Sequence, residues 1–143
     1  MSYTDVMEGL HERFATVTSL KAILDYEPNS IQTTPALYSI LDGFERRVDG
    51  TVTVTRWRTM HRLLLPVQKP EQAEEDLATL VMSIVEAVEL SPKLGGRLRP
   101  GDAQIVSGDA GFLEMGTGNW YRRLDFYSEV VEMGRYLGLG ERG

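Results

Sequence analysis

The sequence predicts an α+β domain in which an antiparallel sheet built from two hairpins carries two main helices packed on one face. Three observations lead there. Leu77, Leu80, Val81, Ile84, Val85 and Val88 recur at helical spacing in one long run. Val48-Asp49-Gly50-Thr51 is a turn signal between two strand-like stretches, because Asp-Gly tolerates the positive φ of a tight hairpin turn. Ala103 to Met115 and Trp120 to Val131 read as a second hairpin across "GTGN".

In chain order, Met7, Leu10, Phe14 and Val17 place a first helix over residues 4–17, with Thr4 or Asp5 as its cap. "SLKAILDYEP" is a short strand that Pro28 ends, and "NSIQTTP" is a loop. Pro35 to Arg47 is the next strand. Pairing residue i with 99 − i across Asp49-Gly50 gives the long hairpin two faces. Tyr38, Ile40, Phe44, Trp57 and Leu63 share the expected core face. Leu37, Leu41, Val52 and Val54 share the other with Glu45, Arg47, Arg56, Arg58 and Arg62. Lys69-Pro70-Glu71 opens the second helix, with proline and acid both favourable in a first turn, and Ser91-Pro92 closes it. The glycine-rich stretch 92–102 is a loop. Trp120, Leu124, Phe126 and Val130 share one face of the last strand. Gly108, Ala110 and Gly111 leave its partner short of side chains, which suggests a bulge or a close approach there. Residues 1–134 form one domain and 135–143 a flexible tail.

Composition narrows the function. A chain of 143 residues, 42% hydrophobic and 25% charged, is long enough for a single packed core. No apolar run approaches the ~20 residues of a membrane span, and "MSYTDVMEGLHERF" lacks the basic-then-apolar order of a leader. Without cysteine there are no disulfides and no thiolate chemistry, which points to the cytoplasm. A net charge of −6 argues against a sequence-reading nucleic-acid binder.

Side chains that carry chemistry are sparse. His11 and His61 are the two histidines, on different elements, and no metal-ligand spacing joins them to carboxylates; neither a metal nor another cofactor is expected. His61 pairs with Tyr38 in the expected register, as a structural group. Asp102, Asp109, Glu114 and Asp125 fall at positions that do not pair across the second hairpin, with Glu114 opposite Tyr121 and diagonal to Arg123. "GFLEMGTG" opens no helix and lacks the Lys-Ser/Thr of a phosphate loop.

The arginines stand out. Arg46, Arg47, Arg56, Arg58 and Arg62 gather on the long hairpin among Leu and Val, where a solvated face would use Thr, Lys and Glu. Mixed arginine and apolar surface is typical of protein interfaces, and arginine favours bidentate carboxylate partners. The acidic start of the second helix in a neighbouring copy, with Glu71, Glu74 and Glu75, supplies them. The loop with Leu94, Arg97, Leu98 and Arg99 is a second candidate docking segment.

The series "EP", "PALYSILDG", "TVTVTRWRTMHRLLLPV", "EQAEEDL", "SPKLGGRL" and "WYRRLDFYSEVVE", over roughly residues 20–132, resembles the tail terminator proteins of long-tailed bacteriophages, also found in phage-like particles and gene transfer agents. The resemblance implies a small subunit without catalytic residues. It implies a ring, a homohexamer, that caps the tail tube, stops its polymerisation and offers the head-tail joining surface. The implied partners are further copies of the chain, the tail tube protein and the head-tail connector, with DNA only passing through the channel and no membrane. The implied location is the neck end of the virion tail, after assembly in the host cytoplasm. Two alternatives stand beside it: another neck or tail-completion protein, and a small ligand-binding or enzymatic domain in which Tyr38 and Trp57 line a pocket around His61.

Overall fold

The computed structural model describes residues 3–67, 69–92, 94 and 103–135. The elements are α1 (Tyr3–Phe14), β1 (Ala22–Leu24), β2 (Ala36–Asp49), β3 (Val52–Pro66), α2 (Pro70–Glu89), β4 (Ala103–Glu114) and β5 (Trp120–Arg135). The strands form one sheet in the order β1-β2-β3-β5-β4.

This corrects the expected architecture. The sheet is mixed, not an antiparallel pair of hairpins, because β1 adds to β2 in parallel, with Ala22 opposite Ala36 and Leu24 opposite Tyr38. A strand of three residues carries no periodicity that reveals its direction. The centre of the sheet is the pairing of β3 with β5, which runs from Val52↔Arg135 to Pro66↔Tyr121 and joins segments far apart in sequence. Arg135, assigned from the sequence to a flexible tail, is the last residue of β5.

α1 is shorter than its apolar pattern. After Phe14 the backbone tightens: Thr16 N donates to Arg13 O at 3.1 Å and Val17 N to Phe14 O at 3.0 Å. Thr16 Oγ1 also donates to the Arg13 carbonyl at 2.6 Å. A threonine that takes the carbonyl of the preceding turn competes with the helix ladder and stops it. Val6, Leu10 and Phe14 are fully buried from α1. α2 begins with Pro70 in the first turn and buries Ala73, Leu77, Leu80, Ile84, Ala87 and Val88. These meet Leu37, Leu63, Leu65, Phe126 and Val130 from one face of the sheet. Ile84 is wholly enclosed. Ile84→Val is expected to cost about 0.5–1.5 kcal/mol in urea denaturation, and an unchanged midpoint would contradict this packing.

The long β2–β3 pair departs from the expected register in two steps. The turn is Gly50-Thr51, with Gly50 at φ 66° and Asp49 opposite Val52, so Trp57 faces Phe44 rather than Asp42. A bulge between Leu41 and Gly43 then leaves Asp42 unpaired. One extra residue on one strand sends every side chain before it to the opposite face. Leu37 and Ser39 therefore point to the helices, whereas Tyr38 and Ile40 point away. His61 pairs with Ser39, not with Tyr38.

Candidate interaction surface

The sheet face away from the helices holds Tyr38, Arg56, Arg58, Arg62, Arg123, Asp125, Tyr127 and Glu129. Neither helix covers it. Among the described residues, the connection through residues 25–35 lies against its base end, where Tyr121 Oη donates to the Ile31 carbonyl at 3.2 Å.

Three of the arginines singled out from the sequence, Arg56, Arg58 and Arg62, are engaged with carboxylates of their own chain. Arg62 makes a bidentate pair with Asp125, 2.8 Å from Nε to Oδ1 and 3.1 Å from Nη2 to Oδ2, and also donates to Tyr38 Oη at 3.2 Å. The bond to Asp125, more than any other contact, raises the Arg62 pKa further. Burial raises that of Tyr38, against the pull of Arg62. Arg123 donates to the same Asp125 carboxylate and approaches Asp109 at 3.6 Å. Asp109 and Asp125 sit directly opposite in the β4–β5 register, so the expectation that these carboxylates do not pair is wrong. The turn over residues 115–119 sets that register, which runs unbroken from Glu114↔Trp120 to Ser107↔Tyr127, and Gly111 leaves the space that the Arg123 guanidinium fills. Glu114 lies opposite Trp120 rather than Tyr121 and accepts from Gly118 N at 3.0 Å. Asp102 lies outside the described residues.

Arg58 bridges Asp42 at 2.9 Å and Glu129 at 3.4 Å, with its guanidinium 4.5 Å from the Tyr127 ring centre. Arg56 reaches Glu129 at 3.8 Å. The bulge thus has a use: it turns Asp42 toward Arg58. Arg46 and Arg47 are exposed and make no ion pair among the described residues. They border a groove with Glu45, Val54 and Arg56 near the hairpin tip. Here the strands run beyond the helices, and Phe44 is 60% and Val48 42% exposed.

At the other end of the sheet, Glu71, Glu74 and Glu75 are exposed on the first turns of α2. Glu74 accepts from Arg122 at 2.6 and 3.2 Å, which lowers its pKa. The same guanidinium donates to the Gly111 carbonyl at 2.6 Å and lies 4.8 Å from the centre of Phe112. Phe112 and Trp120 are 60% and 51% exposed beside it. Leu94, expected to serve a docking loop, is buried in the core at a φ of 52°. Arg97, Leu98 and Arg99 lie outside the described residues.

The histidines build something the sequence did not reveal. His11 Nδ1 lies 3.6 Å from Asp25, and its Nε2 is 3.1 Å from Ser39 Oγ. Ser39 Oγ is 2.6 Å from His61 Nδ1, and His61 Nε2 is 2.7 Å from Ser128 Oγ. With the His11 proton on Nδ1 toward Asp25, Ser39 donates to His11 and accepts from His61, which accepts from Ser128. All four groups are then satisfied with both rings neutral. His61 is fully buried, stacks on Phe126 and meets the edge of Phe14. Burial, reinforced by His11, pushes its pKa down to about 3. Burial lowers that of His11 too, against the opposing pull of Asp25. A cleft of about 530 Å³ opens at the His11 end, lined by Tyr3, Met7, Asp25, Ser39 and Leu41. Tyr38 and Trp57 do not frame His61: Tyr38 is on the other face, and Trp57 donates to Glu132 at 3.0 Å.

No helix among the described residues is long and apolar enough to cross a membrane. Comparison of the chain with protein-family models and with curated protein sequences finds no match.

Proposed function

We propose that the chain is a structural virion protein, a tail terminator that assembles as a ring, a homohexamer, on the end of the tail tube. There it stops tube growth and presents the surface for the head connector. The observation that carries this reading is the overhanging β2–β3 tip. Its apolar Phe44 and Val48 stand exposed beside Arg46 and Arg47, which pair with no carboxylate among the described residues. Mixed apolar and arginine surface of this kind suits contact with another protein. The order of motifs across residues 20–132 supports the assignment to a tail end. The charge pattern suits a channel for DNA: carboxylates neutralise Arg58 and Arg62, so neither offers a free cation to hold passing phosphates.

Tails assembled without the chain are expected to be overlong and uneven by electron microscopy, with purified protein restoring one length. Tails of normal, uniform length in its absence would remove the proposal. A neck or tail-completion protein, the nearest alternative, would leave tube length unchanged and reduce head joining instead. The cleft beside His11 and Ser39 favours a second, ligand-binding reading. On that reading Ser39→Ala abolishes function while ring assembly persists.

A further inference from the structure

Resting on the reading that the chain assembles with itself, we propose which surfaces meet. The β2–β3 tip of one copy docks on the corner that the start of α2 and the β4–β5 hairpin form on the next copy, in a head-to-tail contact.

Three observations carry this. First, the two surfaces lie at diagonally opposite corners of one sheet. The tip closes at Asp49↔Val52, beside the end of β5, whereas the corner lies where Pro66 faces Tyr121. Fourteen steps along β3 at about 3.3 Å each place them roughly 45 Å apart, so a copy cannot satisfy its own tip. Second, they are complementary in charge. The tip carries Arg46 and Arg47, which make no ion pair among the described residues, beside Glu45 and Asp49, whereas Arg56 is held by Glu129; the corner carries Glu71, Glu75 and Asp76 against Lys69, with Glu74 already held by Arg122. Third, each has an apolar centre. Phe44, Arg46 and Val48 alternate along one face of an edge strand, where β1 has ended. The corner offers Phe112 and Trp120, side by side with Arg122. Exposed aromatic and aliphatic groups rimmed by opposite charges are the anatomy of an interface core and its rim.

The contact joins two different patches, so a copy held through its tip alone keeps its own corner free for the next copy. Repetition of one such contact per pair gives a closed ring or an open filament, whereas a two-fold dimer needs both tip–corner contacts made at once between the same two copies. Arg58 and Arg62 take no part, since their carboxylates are on their own chain.

The test is a swap of charge between copies. Arg46→Glu/Arg47→Glu and Glu71→Lys/Glu75→Lys are made separately, checked for native near-ultraviolet circular dichroism, and sedimented alone and mixed in equal amounts. Each alone is expected to be monomeric where wild type assembles. The mixture reassembles, because reversed tip meets reversed corner and native tip meets native corner in strict alternation, which a six-membered ring allows. Either variant assembling alone like wild type, or a mixture that stays monomeric, would overturn the contact. Trp120→Ala is an arm without charge reversal: it weakens association tenfold or more, and an unchanged association constant would overturn the contact. Tail length separates this from the reading beneath it. Wild type that shortens tails yet stays monomeric on the tube sinks the contact alone. Assembly that follows the swap pattern without any effect on tail length sinks the terminator reading alone.

Discussion

Asp125→Ala is expected to destabilise the chain by about 3–5 kcal/mol, the usual consequence of breaking a buried charge pair from one side. Asp125 is 7% exposed and serves two guanidiniums at once, those of Arg62 and Arg123. Removing it leaves two neighbouring cations on a half-covered sheet face, with Asp109, 3.6 Å from Arg123, as the nearest remaining carboxylate. The loss is therefore repulsion and desolvation together, not one missing bond. Combining Asp125→Ala with Arg62→Leu removes one stranded charge, leaves Arg123 with Asp109, and is expected to recover much of the stability. Denaturant midpoints for the two single variants and the double variant measure the coupling. An Asp125→Ala variant that loses less than about 1 kcal/mol would show the carboxylate to be as dispensable as an exposed surface pair.

The same carboxylate shows what the sequence could and could not tell. The α2 stripe was legible because a helix reports its buried face at fixed spacing: Leu77, Leu80, Ile84 and Val88 needed no tertiary information. The long strands were legible from alternation and from Asp49-Gly50, though the turn itself falls one residue later. Faces were not legible. Val52, Val54, Arg56, Arg58 and Arg62 do share one face of β3, but the partner residues on β2 depend on a bulge at Asp42, for which Gly43 was the only local hint. A single inserted residue exchanged Tyr38 for Leu37 in the core and Tyr38 for Ser39 as the neighbour of His61. The destination of the arginines was equally hidden, because Asp125 and Glu129 reach them only through the β3–β5 pairing, a contact across some sixty residues of chain. The acidic helix start was the nearest available explanation for Arg56, Arg58 and Arg62. β5 was the actual one for all three, through Glu129 and Asp125, whereas Arg46 and Arg47 make no ion pair among the described residues and remain open to a neighbour.

That division also changes which residues test the interface. Reversing Arg58 would set a third carboxylate against Asp42 and Glu129, so the fold and the assembly would suffer together. Arg46 and Arg47 lie on the overhang, where surface substitutions usually cost little.

Acid should unfold this chain through His61. In the unfolded state His61 takes up a proton near its ordinary value of 6.5, whereas in the fold it does so only near 3. Between those two values the unfolded chain holds more protons than the folded one, so stability falls as pH falls. The loss begins below about pH 6.5 at up to ~1.4 kcal/mol per pH unit, reaches about 3 kcal/mol at pH 4.5, and is complete near pH 3. The cause is geometric. His61 lies between Phe14 and Phe126 with Ser39 and Ser128 on its two nitrogens, His11 approaches through Ser39, and no carboxylate among the described residues pairs with it. His11 adds a contribution of the same sign, reduced by Asp25. His61→Gln keeps a polar group between the two serines but cannot titrate. It should be less stable than wild type at pH 8, and its stability should fall much less between pH 6.5 and 4.5. Urea unfolding followed by tryptophan fluorescence at half-unit pH steps measures both curves. If they run parallel through that window, His61 is not the acid-sensitive group, and the buried string of His11, Ser39, His61 and Ser128 is not held neutral.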